Sequence, residues 1–377
     1  MPCEIVEVTT KKDLEKFVNY PNQLYKGNPN YVPSLISDDL NTLDKKKNSA
    51  FDYSSARFWL AYQDGKIVGR VGAIYNRRHE EKWGQKYLRF SWLDFEDDLT
   101  VSGKLLSVVE LWARELGLQS IHGPLGFTDL DREGMLVEGF DELATMATFY
   151  NHPYYPLHME HHGYKKDIDW MEFEIKVPPV PDQRISRAAE IVLKRNQLRL
   201  LIFHNKKEML AYAKELFHLL VDEYKDLYGV NPLSEKEIDS YIDQYISFVP
   251  PEFIPAVLDA QGKMVAFGIA IPSLSKALQK ARGRLLPFGW FHLLKAVRSN
   301  DRADLMLVAI RKSYQGLGLN AVLMDQMTKV FNRRGITRVE SNPELETNAN
   351  VQSLWKLYEK RQHKRRRIYI KDLNGDQ

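Results

Sequence analysis

A turn that contains two glycines, residues 314–321, constrains this fold more than any other feature of the chain. It follows residues 305–310, a short apolar run of the kind that forms a buried strand. After it, apolar residues recur with the spacing of one buried helical face, at Leu323, Met327, Val330 and Phe331. The first turn of a helix has free backbone N–H groups, and glycine lets a ligand come close to them. The sequence therefore predicts a binding place for an anion such as pyrophosphate.

Two other phosphate-binding motifs do not fit this turn. It has no Gly-Lys-Ser/Thr, which a P-loop requires, and it lacks the third glycine of a dinucleotide-binding fingerprint. A pair of glycines before a helix also often serves only to change the direction of the chain. That simpler interpretation stays open on the turn alone.

The turn resembles motif A of the GNAT (Gcn5-related N-acetyltransferase) superfamily, with Gln315, Gly316 and Gly318 in its arginine-glycine-x-glycine part. Asn320 stands where the last glycine or alanine is usual, which is a departure from the motif. The resemblance implies an acyl-CoA donor and no metal. The implied contacts to coenzyme A are Ile310, Gln315, Gly316, Leu317, Gly318, Leu319, Asn320 and Ala321.

The region after the helix strengthens the resemblance. Gly335 is predicted to end the helix, residues 337–341 to form a strand, and residues 348–360 to form a second helix. Asn348 and the Leu354-Trp355 pair match the asparagine and Leu-Tyr pair with which GNAT proteins close their site, with Trp in place of Tyr. The resemblance implies that Asn348 and Trp355 contact the cofactor. A core position for Trp355 is the alternative.

The two halves of the chain repeat one hairpin pattern. Asp64-Gly65-Lys66-Ile67-Val68 has a counterpart in Gln261-Gly262-Lys263-Met264-Val265, and the prolines of residues 177–181 indicate a stiff linker between the halves. We expect an α/β (α+β) protein with two tandem GNAT-like domains, each a mixed, mostly antiparallel twisted sheet flanked by helices. The predicted domains are residues 1–176 and 197–377, joined by a linker and connecting helix at 177–196.

The halves differ at the place where a cofactor would bind. In the first half, a predicted helix at residues 105–116 follows the acidic residues Glu96, Asp97 and Asp98. Their carboxylates would repel a pyrophosphate. We therefore expect one coenzyme A site per chain, in the second half.

Further segments resemble a bacterial family of tandem GNAT-like proteins, some related to N-acylation in bacterial ceramide synthesis. They are residues 123–140, the Asn151-His152-Pro153-Tyr154-Tyr155 string and residues 364–369. The family implies a donor more firmly than an acceptor. On the loop of the first segment, Asp129, Asp131 and Glu133 are predicted to attract the cationic amine of an acceptor. Capping of the loop's own backbone is the alternative.

Composition restricts the class of protein. The 377 residues are 44% hydrophobic, enough for two cores, and a formal net charge of +3 does not indicate a nucleic-acid partner. The one cysteine excludes an internal disulfide and a cysteine metal cluster, which fits a reducing, cytoplasmic location. His158 and His162 share a helical face, but this spacing alone does not indicate a metal site.

Direct transfer of an acyl group to an amine needs a base and a stabilised oxyanion, but no side-chain nucleophile. Backbone N–H groups of the strand at residues 305–310 are predicted to polarise the thioester carbonyl. The candidate bases are Glu340, Glu344 and Glu346, and Tyr358 is the candidate acid for the leaving thiolate. The basic run 364–367 is predicted to lie on a charged edge strand, with phosphate contact as an alternative.

Residues 273–300 form an insertion that a GNAT core does not need. The centre of the insertion is aromatic and apolar and includes Trp290, and basic residues lie on both sides of it. It is predicted to pack against the N-terminal half, a long acyl chain or a membrane surface, the last as a peripheral contact through residues 282–298. Two other functions stay open: a non-catalytic binding or scaffolding protein with a decayed site, and a Fem-like transferase that uses aminoacyl-tRNA.

Overall fold

A computed structural model describes residues 2–373 as a mixed α/β chain. The strands are β1 Glu4–Glu7, β2 Ser54–Gln63, β3 Lys66–Asn76, β4 Tyr87–Phe95, β5 Ser120–Gly123, β6 Met135–Glu138, β7 Lys165–Lys176, β8 Arg199–Leu201, β9 Ala256–Leu258, β10 Met264–Pro272, β11 Arg302–Ile310, β12 Arg338–Ser341, β13 Glu344–Leu345 and β14 Lys360–Asp372. The helices are α1 Lys11–Leu24, α2 Ile36–Thr42, α3 Arg77–Trp83, α4 Leu99–Glu115, α5 Tyr154–His161, α6 Gln183–Arg195, α7 Lys206–Tyr224, α8 Glu235–Gln244, α9 Ser275–Ala281, α10 Gly289–Arg298, α11 Leu319–Arg334 and α12 Ala349–Gln352.

The chain divides into two compact units, each made from separate stretches of sequence. Unit 1 consists of Met1–Met171, Ser275–Leu293 and His363–Gln377. Unit 2 consists of Glu172–Leu274 and Leu294–Gln362. The first passage between the units lies a few residues before the predicted linker. Most of the inserted segment, residues 275–293, and most of the last strand, however, belong to unit 1 although their sequence follows the linker.

Unit 1 contains a sheet in which β1, β2, β3 and β4 are antiparallel neighbours. Strand β5 is parallel to β4 from Tyr87↔Ser120 to Arg89↔His122 and antiparallel to β14. The predicted hairpin at Asp64-Gly65 joins β2 to β3, and both turn residues have positive φ. Apolar residues of α4 pack on this sheet because one face of the helix carries them at regular spacing.

Unit 2 repeats this plan. Strands β8, β9, β10 and β11 are antiparallel neighbours, β11 is parallel to β12, and β12 is antiparallel to the last residues of β7. The predicted hairpin at Gln261-Gly262 joins β9 to β10. The expected sheet, mixed and mostly antiparallel with helices beside it, is therefore confirmed in both units.

Helix α11 forms as its apolar spacing predicts. Its four predicted core residues are at most 4% exposed, and they are Leu323, Met327, Val330 and Phe331. It ends at Gly335, which has a φ of 70° and closes the helix with backbone hydrogen bonds. Within residues 2–373 no helix combines the length and the hydropathy needed to cross a bilayer.

The predicted second helix at residues 348–360 is wrong in its extent. The structure has only α12, a 3₁₀ turn at Ser353–Leu357, and then β14, which begins at Lys360. Trp355 lies in the 3₁₀ turn with 5% of its surface exposed. The periodicity of the sequence suggested a longer helix, but the chain buries the Trp355 indole in this short 3₁₀ turn instead.

The predicted edge position of the basic run 364–367 is also wrong. Strand β14 lies between β5 and β7, and its first half also pairs with β6. The expected alternation is confirmed, since Lys364 and Arg366 are 1% and 0% exposed. The other two cations, Arg365 and Arg367, both contact the fully buried carboxylate of Asp169. These ion pairs with Asp169 explain how a basic run can lie on an interior strand, although the sequence suggested an edge strand.

Candidate active site

A β-bulge in β11 opens a gap beside β12. The two strands pair as far as Leu305↔Ser341, where β12 ends. Against β10, Ile269 is opposite Leu307 and Ala270 is opposite Leu305, so Met306 is the extra residue of the bulge. The rest of β11 continues past the end of β12. Its outer edge is therefore available to a ligand that lies along the strand.

Backbone groups of even-numbered residues line this free edge. The carbonyl of Val308 accepts a hydrogen bond from the Tyr224 hydroxyl at 3.0 Å, and that of Ile310 accepts one from the Gln315 amide at 3.0 Å. In a strand with an antiparallel neighbour, the N–H and C=O of one residue point to the same side. The N–H of Val308 therefore points into the gap, where it can polarise a thioester carbonyl.

The N-terminus of α11 follows directly and has no side-chain cap. Gly318 is the N-cap residue with a φ of 91°, and no side chain accepts from the first turn. Gly316 has a φ of 78°, and a Cβ built there would meet nothing within 4 Å. Free N–H groups and the positive end of the helix dipole thus meet at an exposed turn. The predicted anion site has the required local geometry.

The turn is held at both ends. Gln315 donates from its side chain to Ile310, which ties the turn to the end of β11. Leu319 is 1% exposed and packs in a core that includes Val265 and Ala189 of α6. The Leu319 side chain therefore anchors the helix, and only its backbone is available to a ligand. Asn320 is half-buried and Leu317 is exposed, so the open side of the turn faces solvent.

Glu344 is a buried carboxyl close to the bulge. Its Oε1 accepts a hydrogen bond of 2.7 Å from the Trp355 indole, and its buried Oε2 has no hydrogen-bond partner among the described residues. Burial raises the pKa of Glu344 to about 7, although the hydrogen bonds from Trp355 and Ser341 oppose the shift. Two residues earlier, the Asn342 amide donates to the Met306 carbonyl at 3.0 Å, which places this segment against the bulge.

The other predicted site residues of unit 2 lie on different elements. Glu340 is half-buried and lies opposite Glu174 in the β12–β7 ladder. Tyr358 is half-buried, and burial raises the pKa of its phenol, opposed by a hydrogen bond with Thr328 of α11. Asn348 accepts from the N–H of Val351 and thereby caps α12. Glu346 lies in the loop between β13 and α12.

Sequence reasoning missed Tyr224. It is the last residue of α7, and its hydroxyl contacts β11 at Val308, 84 residues away in the chain. No local motif marks it, because only the tertiary packing of α7 brings it to the free edge of β11. Its phenol is a second candidate for protonating a leaving thiolate.

In unit 1 the corresponding helix start is occupied by the chain itself. Asp98 is the N-cap of α4, and its carboxylate accepts from the N–H of Thr100 at 2.7 Å. The strand edge is filled too, since the Tyr155 hydroxyl accepts from the N–H of Phe95 at 2.9 Å. A carboxylate and a phenol thus take the places that a pyrophosphate and an acyl carbonyl would need. One coenzyme A site per chain, in unit 2, stays a prediction.

The loop carboxyls of unit 1 are half-buried and differ in their bonding. Asp131 accepts from the N–H groups of Phe127 and Thr128, so it caps its own loop as the alternative interpretation proposed. Burial raises the pKa of Asp129 to about 6 and that of Glu133 well above its usual value. The Oδ1 of Asp129 is buried with no hydrogen-bond partner among the described residues.

The paired histidines of unit 1 join α5 to α4. His158 Nδ1 and His162 Nε2 lie 2.8 and 2.9 Å from the Ser102 hydroxyl, and His158 Nε2 lies 2.9 Å from Asp97. Ser102 is fully buried. These contacts give the histidines a packing role between the two helices.

Comparison with known proteins agrees with this geometry. The family model of the acetyltransferase (GNAT) family matches residues 213–363, which include the bulge, the open turn and Glu344. The tandem GNAT protein from the clavulanic acid biosynthesis pathway superposes over 100% of both chains, with a TM-score of 0.55 at 11% identity. Residues 213–363 thus match the GNAT family of acetyltransferases, and the whole chain has the fold of a tandem GNAT protein. A GCN5-related N-acetyltransferase from Sphaerobacter thermophilus has the same fold, with a TM-score of 0.51 at 12% identity over 98% of this chain and 96% of its own.

Two relatives match this chain along nearly its whole length. Protein YghO of Escherichia coli (strain K12) is 28% identical over 374 residues, covering 96% of this chain and 94% of its own. The bacterial ceramide synthase of Caulobacter vibrioides is 25% identical over 390 residues, covering 98% of this chain and 97% of its own. The similarity to these two relatives therefore extends over both units.

Proposed function

We propose that this protein transfers an acyl group from acyl-CoA to an amine acceptor by direct attack on the thioester, at one site in unit 2. One arrangement carries the proposal: an uncapped helix start at Gly318 directly after a bulged strand, with Glu344 next to the bulge. GNAT proteins use CoA thioesters as donors. The open turn of α11 would bind the pyrophosphate, and the pantetheine arm would lie along the free edge of β11.

The proposed reaction needs three groups. The N–H of Val308 would bind the oxyanion that forms on the thioester carbonyl, a contribution of about 3 kcal/mol for one well-placed donor. Glu344 would accept the proton of the attacking ammonium, since a carboxyl with a pKa of about 7 is suited to a base near neutral pH. The C–S bond then breaks, and Tyr358 or Tyr224 would protonate the thiolate. We propose that Glu340 supports this site from β12 without acting as the base.

We propose an acceptor that is a lipid-like amine, and a donor with a long acyl chain. The relative named bacterial ceramide synthase, which matches along the whole chain, supports this substrate class. Within unit 1, Asp129 and Glu133 are proposed to attract cationic amines, because buried carboxyls with raised pKa values gain most from a cationic ligand. Asp131 would keep the loop in shape. Asn348 and Trp355 would position α12 and Glu344 rather than touch the cofactor.

The test measures release of free CoA thiol by the full-length protein from acetyl-, octanoyl- and palmitoyl-CoA, with a long-chain primary amine as acceptor. We expect turnover with palmitoyl-CoA to exceed turnover with acetyl-CoA. Asp129→Asn should raise the KM for the amine and leave the affinity for CoA unchanged. Absence of both CoA binding and thiol release would contradict the proposal and favour a scaffolding role, and a preference for acetyl-CoA would refute the lipid-like substrate class.

A further inference from the structure

The inserted segment, residues 275–298, exposes its large apolar side chains instead of burying them. Packing against the N-terminal half was one prediction for these residues, and it is wrong for the side chains at the tip. Their exposed fractions range from 38 to 78%, and the residues are Leu285, Leu286, Phe288, Trp290, Phe291 and Leu294. Soluble proteins seldom leave so many large apolar groups together in water. These exposed side chains, here called the tip, therefore need a binding partner that covers them.

The base of the segment is fixed firmly in unit 1. Gly283 accepts a hydrogen bond from the N–H of Ile36 at 2.9 Å, and a Cβ at Gly283 would lie 2.2 Å from the Ser34 carbonyl. Gln279 donates from its side chain to the carbonyls of Pro29 and Tyr31. A tip presented on a base of this kind has a defined place on unit 1.

Helix α10 exposes one apolar face to solvent. Trp290, Phe291 and Leu294 are all exposed and fall on one face, as their spacing of three and four residues requires. Lys295 and Arg298 continue the same face at the C-terminal end of the helix and are also exposed. An apolar face that ends in cations is typical of helices that lie in a membrane interface.

The charge of the segment points to an anionic partner. Residues 275–298 contain no Asp or Glu, and all of their basic residues are exposed: Lys276, Lys280, Arg282, Arg284, Lys295 and Arg298. The whole chain has a formal net charge of +3, so the rest of it carries a net charge of −3. No ion pair to a carboxylate holds any of these six side chains within the part of the chain that the structure describes. The segment therefore carries a net positive charge, whereas the rest of the chain carries a net negative charge.

We propose that residues 282–298 form a docking surface for an anionic lipid bilayer. The aromatic and leucine side chains of the tip enter the boundary between headgroups and acyl chains, and the four cations of this surface, Arg282, Arg284, Lys295 and Arg298, contact lipid phosphates. A second copy of this chain fits less well, because a symmetric contact through this surface would bring four cations against four. Docking would bring the enzyme to an amphiphilic acceptor, a consequence that rests on the proposed function, whereas the docking itself does not.

The test is co-sedimentation of the full-length protein with vesicles of phosphatidylcholine alone or mixed equally with phosphatidylglycerol. We expect binding to the mixed vesicles, weakened by salt, and little binding to phosphatidylcholine. Phe288→Ser/Phe291→Ser should weaken binding roughly tenfold or more. Lys295→Ala/Arg298→Ala should weaken it similarly and reduce its dependence on salt. Leu111→Ser/Leu157→Ser, which changes two comparably exposed residues on α4 and α5, is the matched control and should bind as the wild type does.

Three outcomes would overturn the proposal. They are equal binding by wild type and the Phe288→Ser/Phe291→Ser variant, no binding to mixed vesicles, and a dimer in analytical ultracentrifugation that this variant dissociates. Calorimetry of CoA with the same variant separates this surface from the catalytic site, because CoA affinity should stay unchanged. Conversely, Gly318→Ala should bind the mixed vesicles as the wild type does.

Discussion

The indole N–H of Trp355 donates to the carboxylate of Glu344 at 2.7 Å, and both side chains are less than one-tenth exposed. This bond favours the charged form of Glu344, whereas burial favours the neutral form and dominates. The balance leaves the pKa at about 7. In the proposed mechanism, Trp355 would therefore act through Glu344 rather than through the cofactor.

The rate should follow this ionisation. A base must be deprotonated, so we expect kcat to rise with pH through about 7 and then level off. Glu344→Gln should lower kcat by about 100-fold and abolish this rise. Trp355→Phe should move the midpoint to higher pH, because it removes a bond that lowers the pKa. The measurement is a pH–rate profile at saturating amine, and an unchanged midpoint in Trp355→Phe would contradict the assignment of Glu344 as base.

Ionisation of Glu344 also affects stability, with a sign that can be checked. Its folded-state pKa lies above the ordinary value of about 4.3, so its contribution to folding is fully present below that pH. It is lost as the pH rises toward about 7. Relative to the wild type, Glu344→Gln should therefore become more stable between pH 5 and 8 in thermal melts. A constant difference in Tm across this range would show that Glu344 ionises normally.

Coenzyme A affinity should depend on Gly318 but not on Gly335. Both residues have positive φ, at the N-terminal and C-terminal ends of α11. Alanine at either position strains the backbone, but only Gly318 belongs to the proposed pyrophosphate turn, and its new Cβ would also lie 3.0 Å from Val192 Cγ2, so the turn would have to shift. We expect Gly318→Ala to weaken CoA binding roughly tenfold, about 1.4 kcal/mol, in calorimetry. Gly335→Ala should bind normally, and equal losses in both variants would indicate a general effect on folding.

One CoA should bind per chain. Asp98 and Tyr155 occupy the helix start and the strand edge of unit 1. We expect calorimetry to give a stoichiometry of one, and Asp98→Asn to leave it unchanged because Tyr155 still fills the strand edge. A stoichiometry of two in the wild type would show that unit 1 retains a cofactor site.

Two tyrosines compete for the role of proton donor to the thiolate. Tyr358 lies against α11 near Thr328, whereas Tyr224 contacts the free edge of β11 at Val308. We expect the phenylalanine variant of the true donor to lower kcat by about 100-fold with little change in the KM for acyl-CoA. The other variant serves as its control. Equal, small effects in both would mean that the thiolate leaves without a protein acid.

Asp169 should be a major contributor to the stability of unit 1. Burial opposes its ionisation, but hydrogen bonds from Arg367, Arg365 and Lys166 outweigh burial and keep its pKa below the ordinary value. Its stabilising effect is therefore full above about pH 4 and lost as the pH falls through the lowered pKa. Asp169→Asn should cost about 3 kcal/mol in urea unfolding at pH 7, and less at pH 3. Glu81→Gln, in an exposed pair with Arg77, is the control and should change little.

Local patterns in the sequence predicted the buried face of α11 and the open turn before it. The spacing of Leu323, Met327 and Val330 fixes which face of α11 is buried, and the glycines before it fix an open turn. Hairpins at Asp64-Gly65 and Gln261-Gly262 follow from turn preferences in the same way. These features involve residues close in sequence, where periodicity and turn chemistry decide the structure.

The remaining features depend on contacts between distant residues. Tyr224 reaches β11 only through packing of α7, and Tyr155 meets the N–H of Phe95 across 60 residues. The basic run in β14 suggested a surface strand. The sequence alone does not show that Arg365 and Arg367 of this run pair with the buried carboxylate of Asp169. The raised pKa of Glu344 likewise follows from burial, which no short motif encodes.

The position of β14 in unit 1 affects the order in which the protein can fold during synthesis. Strand β5 is translated before unit 2, but its partner β14 is translated only after unit 2. Until then, one edge of β5 lacks its antiparallel neighbour and exposes backbone groups that can pair wrongly. A ribosome stalled after unit 2 would therefore hold an unfinished first unit. The need for chaperones should therefore last until β14 has left the ribosome.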